Sequence, residues 1–344
     1  MPMELVPHDL DFDYLSKRRV CIAASLILIL LGVVATIVRG GPPVGIDFAG
    51  GTEVQLRFDA GVSADESRLR DVARGAGFED ATVVRFGEAD ASEFLIKFKG
   101  EPVSTSAAGS AGNADEEGGL AANARVARLE DTIREQIGGF TEQRVEYVGP
   151  KVGEDLRRDG MNALLMSAVA ILIYVAFRFS SRYAPGAVVA LVHDVLVTSS
   201  LLVMANFFFR IEFDLQILAA LLAIVGYSLN DTIIIYDRIR ENLELHPASD
   251  LEAVLNLSVN QTMSRTVLTS GTTMLAVIAL LTFGGEVIFP FSFTMAIGIV
   301  VGTYSSIFIA APVLLYLERR YGNPKTPSAG AVARRGAAVG RARA

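Results

Sequence analysis

Six runs of apolar residues, each long enough to cross a lipid bilayer, constrain this chain more than anything else in it. A hydrocarbon core about 30 Å thick takes roughly 20 helical residues at about 1.5 Å each. The runs at 20–38, 161–177, 185–209, 215–236, 266–283 and 291–317 meet that requirement. In lipid every backbone N–H and C=O must be bonded within its own segment, so such runs fold as helices. Composition agrees, with 51% of the 344 residues hydrophobic against 20% charged and a mean hydropathy of +0.41. The net charge of −7 is unevenly spread, with acids gathered in one soluble segment and bases at membrane ends, and implies no nucleic-acid partner. The single cysteine, Cys21, lies in the first run, so no disulfide framework is available. Trp is absent, which leaves interfacial anchoring to Tyr and the basic residues.

Lysine and arginine set the expected orientation. Lys17, Arg18 and Arg19 precede the first run, Arg178 and Arg182 lie between the second and third, Arg238 and Arg240 follow the fourth, and Arg319, Arg320 and Lys325 follow the sixth. All fall on one side of a six-span protein, while the opposite short loops hold little beyond Arg39 and Arg210. Both termini, 1–19 and 318–344, are therefore expected in the cytoplasm. The first run reads as a retained anchor, because it is long for a signal peptide and Thr36-Ile37-Val38-Arg39 is no small-x-small cleavage site.

Between the first two runs, 39–158 reads as an α+β domain outside the cytoplasm. Gly40-Gly41-Pro42-Pro43 breaks the helix at the membrane exit, and Gly45-Ile46-Asp47-Phe48-Ala49-Gly50-Gly51-Thr52 turns the chain into it. Asp47, beside the paired glycines, reads either as a cap on a turn or as a functional contact. Alternation predicts strands at 52–58, 81–86, 93–97 and 143–148. Helices are expected at 64–76, with Ser63 as N-cap, and at 122–137. A turn falls at 87–92, and 101–119 reads as a flexible insert rich in Ala, Gly, Ser and acids. The order β-α-β-β-α-β suggests a ferredoxin-like, split β-α-β domain. It contains no His or Cys, which argues against metal or thiol chemistry there and for binding or mechanical work. Gly149-Pro150-Lys151-Val152-Gly153 reads as a linker into the second run. The five runs of 159–317 form one membrane domain, interrupted by polar residues 237–262. That interruption is either an amphipathic helix along the membrane surface or a solvated connector. The Arg-rich tail, 318–344, reads as disordered.

Polar residues inside the runs mark the functional candidates. A charge at mid-bilayer costs roughly 2.5–3.5 kcal/mol on insertion scales, so it needs a partner, a wet cavity or a proton. Asp231, next to Asn230, sits about two turns inside the fourth run, too deep for its short side chain to reach water easily. In the third run His193 and Asp194 are adjacent, with Thr198 one turn beyond Asp194 on the same face. Arg265 stands at the entry of the fifth run, followed by a seam of Thr266, Thr269, Ser270, Thr272 and Thr273. Antiparallel neighbouring spans would let Arg265 approach Asp231. Gly298 and Gly302 are spaced for close helix packing. No GxxxxGK[ST] loop is present, which argues against nucleotide use. An intramembrane protease fits poorly too, since the fourth run has one Asp and His193-Asp194 lacks metal-pair spacing.

These motifs, in order over roughly 17–320, resemble the SecF-type subunits of the SecD/SecF protein-export family, within the resistance-nodulation-division superfamily. The resemblance rests on Gly45-Ile46-Asp47-Phe48-Ala49-Gly50-Gly51-Thr52, Val148-Gly149-Pro150-Lys151-Val152-Gly153, Val192-His193-Asp194, Gly226-Tyr227-Ser228-Leu229-Asn230-Asp231-Thr232 and Asn260-Gln261-Thr262-Met263-Ser264-Arg265-Thr266. It implies a multi-pass protein of the bacterial inner membrane. Such a subunit is no enzyme and has no cofactor; it draws on the proton motive force to promote export of unfolded precursor proteins, with SecD and the SecYEG channel as partners. Asp231 matches the family's proton-carrying carboxylate and Arg265 its intramembrane arginine, with Asn230, His193 and Asp194 as further relay candidates. Asp47, Gly50, Gly51, Gly149 and Gly153 match structural motif positions. The rival readings are a proton-driven exporter of small molecules or lipids from the same superfamily, and a passive translocase scaffold.

Overall fold

A computed structural model describes residues 12–86, 92–99, 114–179, 182–209, 211–247 and 249–321. Residues 87–91 of the turn expected at 87–92, residues 101–113 of the insert, Arg210 and the tail from 322 lie outside the described residues. Among the described residues six helices are long and apolar enough to span, and the protein is a multi-pass membrane protein. They are α1 (Arg18–Arg39), α5 (Pro150–Arg178), α6 (Ala184–Phe209), α7 (Leu215–Leu245), α8 (Leu251–Phe283) and a last span opening with α9 (Gly285–Ser305). That span passes through one π-helical turn, Ser306–Ala310, before ending as α10 (Ala311–Tyr321). The interior of the bundle is built from α6, α7 and α9, whereas α1, α5 and α8 keep most of their surface outward.

Three helices outrun their apolar stretches, each for a local reason. Pro150 starts α5 ahead of its apolar run, because a proline at the first position loses no helical hydrogen bond. The 149–153 segment is thus the first turn of a helix, not a linker. α7 continues past 236 because its charged end is self-pairing: Arg240 donates to Asp237 at 3.3 Å and Arg238 to Glu241 at 3.0 Å, each three residues apart. α8 begins at Leu251, so the polar residues from 251 to 262 are neither a separate surface helix nor a connector. Their carboxamides hold the segment before α1. Asn256 Oδ1 accepts from the backbone N–H of Tyr14 and of Leu15, both at 3.1 Å, and Asn260 Oδ1 from that of Phe12 at 3.2 Å.

Between α1 and α5, the short α2 (Ile46–Ala49) leads into β1 (Gly51–Phe58), α3 (Glu66–Gly75), β2 (Thr82–Phe86), β3 (Glu93–Lys99), α4 (Ala114–Gln136) and β4 (Phe140–Val148). The strands form one antiparallel sheet in the order β2-β3-β1-β4. Val54, Leu56 and Ile96 from the sheet pack against Leu69 of α3 and Leu129 and Ile133 of α4, all fully buried. The N-cap of α3 is Asp65 rather than Ser63; its carboxylate accepts from the Arg68 N–H at 2.8 Å. α4 starts at 114, so the end of the expected insert is helical, its alanines offsetting two glycines. The face of the sheet without helices looks onto the ends of α7 and α9 across a cavity of about 310 Å³.

Candidate functional site

The glycine motif after α1 ties the sheet to the bundle. Gly50 adopts φ 78°, a left-handed conformation natural to glycine, and turns the chain from α2 into β1. Gly153, in the first turn of α5, lies so close to α2 that an added Cβ would stand 3.0 Å from the Gly50 N and 3.1 Å from the Phe48 carbonyl. At Gly51 the Phe98 carbonyl oxygen would be 2.6 Å away. Gly149 is the N-cap of α5, in extended conformation. Asp47 caps no turn of its own: its Oδ2 accepts from the Leu215 N–H at 3.0 Å, at the N-terminus of α7. Alongside, the Gly45 N–H donates to the Phe213 carbonyl at 2.7 Å and the Phe213 N–H to the Pro43 carbonyl at 2.6 Å. One strap of residues therefore holds the sheet, α5 and the helix that carries Asp231.

The cavity above that strap is strongly charged. Lys97 pairs with Glu53 at 3.2 Å. Burial alone would lower the lysine, but Glu53 beside it prevails and holds it above its ordinary value. Glu212 and Asp214, at the rim of the bundle, are both pushed up by burial. Asp214 caps α7 by accepting from the Ile217 N–H at 2.9 Å.

Within the bundle the ionisable residues divide into two sites. Asp194 on α6 is wholly buried. His193 Nδ1 lies 2.9 Å from its Oδ1, while Ser228 of α7 donates to its Oδ2 at 2.5 Å and Ser305 of α9 at 2.8 Å. The His193 ring stacks against Tyr304 with centroids 6.0 Å apart. Among the described residues its Nε2 is buried without a partner, and the hydroxyl of Thr198, buried one turn on, makes no hydrogen bond.

Asp231 on α7 is 1% exposed, yet one long hydrogen bond serves it: Ser270 of α8 donates to Oδ2 at 3.4 Å. Ser270 in turn meets the Thr303 hydroxyl of α9 at 2.7 Å. The other oxygen, Oδ1, is buried without a partner among the described residues. Arg265 is exposed on α8 and makes no ion pair with Asp231 among the described residues, although its charge bears on it. The approach suggested by antiparallel spans stops short of contact because the arginine lies on an outward face. Asn230 is exposed on α7.

Sequence reasoning did not find Ser228, Ser305, Thr303 or the Thr232–Ser306 hydroxyl pair at 3.0 Å. The signal available was small polar residues one turn from a charged one, but hydroxyls in spans usually bond their own helix, as Thr269 does to the Arg265 carbonyl. Gly298 and Gly302 do pack: an added Cβ would meet Ile224 at 2.1 Å and Ser228 at 3.0 Å, which brings α9 against α7.

A small antiparallel sheet strapped to a six-span bundle that buries two carboxylates defines a polytopic membrane protein with ionisable groups at its core. The chain belongs to the SecD/SecF family of protein-export membrane proteins. The family described as "Protein export membrane protein SecD/SecF, C-terminal" matches residues 129–320, and the SecD/SecF GG motif matches 45–62. Among its relatives, the protein translocase subunit SecF of Pseudomonas aeruginosa is 40% identical over 306 residues, covering 89% of this chain and 91% of that one. The SecF subunit of Magnetococcus marinus is 43% identical over 312 residues, covering 89% and 92%. A crystal structure of SecDF in a super-membrane-facing form superposes with a TM-score of 0.66 at 34% identity over 93% of this chain. The chain spans 40% of that SecDF chain.

Proposed function

We propose that this chain is the SecF half of a SecDF complex that uses the proton motive force to promote export of unfolded precursor proteins through a SecYEG channel, without being an enzyme itself. The observation that carries this is Asp231, a buried carboxylate with one unpartnered oxygen, on the helix whose N-terminus the sheet's strap holds. On this reading both termini are cytoplasmic, as the basic residues favour. Residues 39–158 form a ferredoxin-like domain outside the cytoplasm, a reading that the strand order β2-β3-β1-β4 supports. Residues 159–317 form the conducting half, completed by SecD.

In this mechanism Asp231 takes up a proton at its buried position between α7, α8 and α9 and releases it when water reaches it. Arg265, on the adjoining face, opposes the charge once the two halves close over it, and Asn230 lies at that seam. The His193–Asp194 pair is the second buried part of the relay, with His193 its titratable member and Asp194 its anchor to α7 and α9. Movement of α7 passes through the Asp47–Leu215 contact to the sheet. One charge crossing the membrane potential is worth about 2.3 kcal/mol per 100 mV, enough to bias a two-state position of the sheet by roughly fiftyfold.

The test is precursor export in vesicles or cells carrying Asp231→Asn or Arg265→Ala at matched complex levels, with and without a proton gradient. The gradient should stimulate the wild type and neither variant. If both variants respond like wild type, the polar groups are structural and the subunit is a passive scaffold.

A further inference from the structure

The relay contains a carboxylate that has no room to act as a carrier. Both oxygens of Asp194 are engaged, Oδ1 with His193 and Oδ2 with Ser228 and Ser305, and the residue has no exposed surface. Asp231 differs in keeping one oxygen with no partner among the described residues, whereas each Asp194 oxygen is already held by a neighbour. What Asp194 does have is a grip on three helices. Ser228 lies one turn before Asp231 on α7. Ser305 lies two residues beyond Thr303 on α9, and Thr303 meets Ser270, the donor to Asp231. The two helices that Asp194 fastens to α6 are thus the helix bearing Asp231 and the helix backing its donor. Just past Ser305 the helix changes to its π-helical turn, a break in the regular ladder of the kind that recurs at functional sites.

We propose that Asp194 is a positioning residue: through Ser228 and Ser305 it clasps α7 to α9 and so sets the distance between Asp231 and the Ser270–Thr303 pair. His193 from α6, its ring backed by Tyr304 of α9, is the titratable group facing Asp194 among the described residues. Arg265 of α8, on the outward face, is the nearby charge that bears on Asp231 without contact. This deepens the proton-coupled reading above and rests on it. Loosening the clasp leaves the carrier present but less often in productive geometry, so a larger gradient is needed to drive the same work.

The experiment measures precursor export by the whole SecDF complex against a graded proton gradient. It compares wild type, Asp231→Asn, Asp194→Asn and the double variant Ser228→Ala with Ser305→Ala, at equal complex levels. The double variant should keep a plateau but need about threefold more proton activity, roughly half a pH unit, for half-maximal stimulation. Asp194→Asn, which keeps one acceptor oxygen for the serines, should shift less, and Asp231→Asn should show no stimulation at any gradient. The clasp is overturned if Asp194→Asn is flat at every gradient, which would make Asp194 a carrier. It is equally overturned if the double variant keeps the wild-type half-point. If Asp231→Asn responds as wild type does, the proton-coupled reading fails and the clasp's role falls with it.

Discussion

Asp194 and Asp231 are two carboxylates on neighbouring spans of one bundle, with 0% and 1% of their surface exposed. They differ in how they are answered. Asp194 has a partner for each oxygen, drawn from three helices, whereas Asp231 has one long hydrogen bond and one bare oxygen. A buried polar group left unpaired costs stability, and natural proteins keep few of them. The contrast teaches that depth in the membrane does not decide a residue's role. A fully answered carboxylate holds helices together, and an under-answered one retains the capacity to change state.

Replacing each with alanine breaks the comparison most directly. Asp194→Ala strands the buried Ser228 hydroxyl, at about 1–3 kcal/mol, and frees α6 from α9, where Ser305 falls back on the Gly302 carbonyl at 3.1 Å; it should lower the melting temperature of the detergent-solubilised complex clearly. Asp231→Ala removes one weak bond and a buried polar group with a bare oxygen, and should leave melting unchanged or raise it. Equal losses at the two positions would remove the distinction. Gly298→Val acts on both sites at once by pushing α9 away from Ile224, with an overpacking cost of about 1–3 kcal/mol. It should weaken gradient-stimulated export as well as melting. Asp47→Ala sharpens the contrast from outside the bundle: losing the contact to the Leu215 N–H should cost about 1 kcal/mol, the size of a lost helix cap. Exchange of the amides at the start of α7 would report it.

A third carboxylate, in the sheet domain, gives the smallest effect and a check in water. Glu130 is pushed up to about 7, by burial first and then by its hydrogen bond with Glu142. The folded domain therefore holds a proton there that the unfolded chain releases near its ordinary 4.5. The stability this confers is full below about pH 4.5 and is lost as pH rises through about 7. Glu130→Gln should flatten the pH dependence of hydrogen exchange in α4 and β4 across that window. An unchanged profile would show that Glu130 is ionised throughout.

The fold was legible where a pattern is local and repeated. Alternation located the strands of the sheet, and the apolar runs located the spans. The ends were less legible. Asn256 and Asn260 look like surface residues until the chain before α1 folds back onto them. Ser63 reads as the cap of α3 in sequence, but geometry gives that role to Asp65. At the candidate site the charged residues stood out because lipid makes them costly, but their partners did not. Ser228, Ser305 and Thr303 become donors across helices only through the close approach of α9 to α7 at Gly298 and Gly302. Arg265 illustrates the opposite: adjacency of spans brings two helices together without saying which faces meet.

In the proposed mechanism Asp231 moves the sheet over the bundle. Val84 of β2 and Phe289 of α9 line opposite sides of a second cavity, of about 520 Å³, between the sheet and the membrane helices. Cysteines at these two positions, in a background with Cys21→Ala, report the gap by their crosslinking rate. Imposing a proton gradient on the assembled complex should change that rate in an otherwise wild-type chain and leave it unchanged when Asp231→Asn is added. A rate indifferent to the gradient while export is still stimulated would contradict the coupling of Asp231 to the sheet.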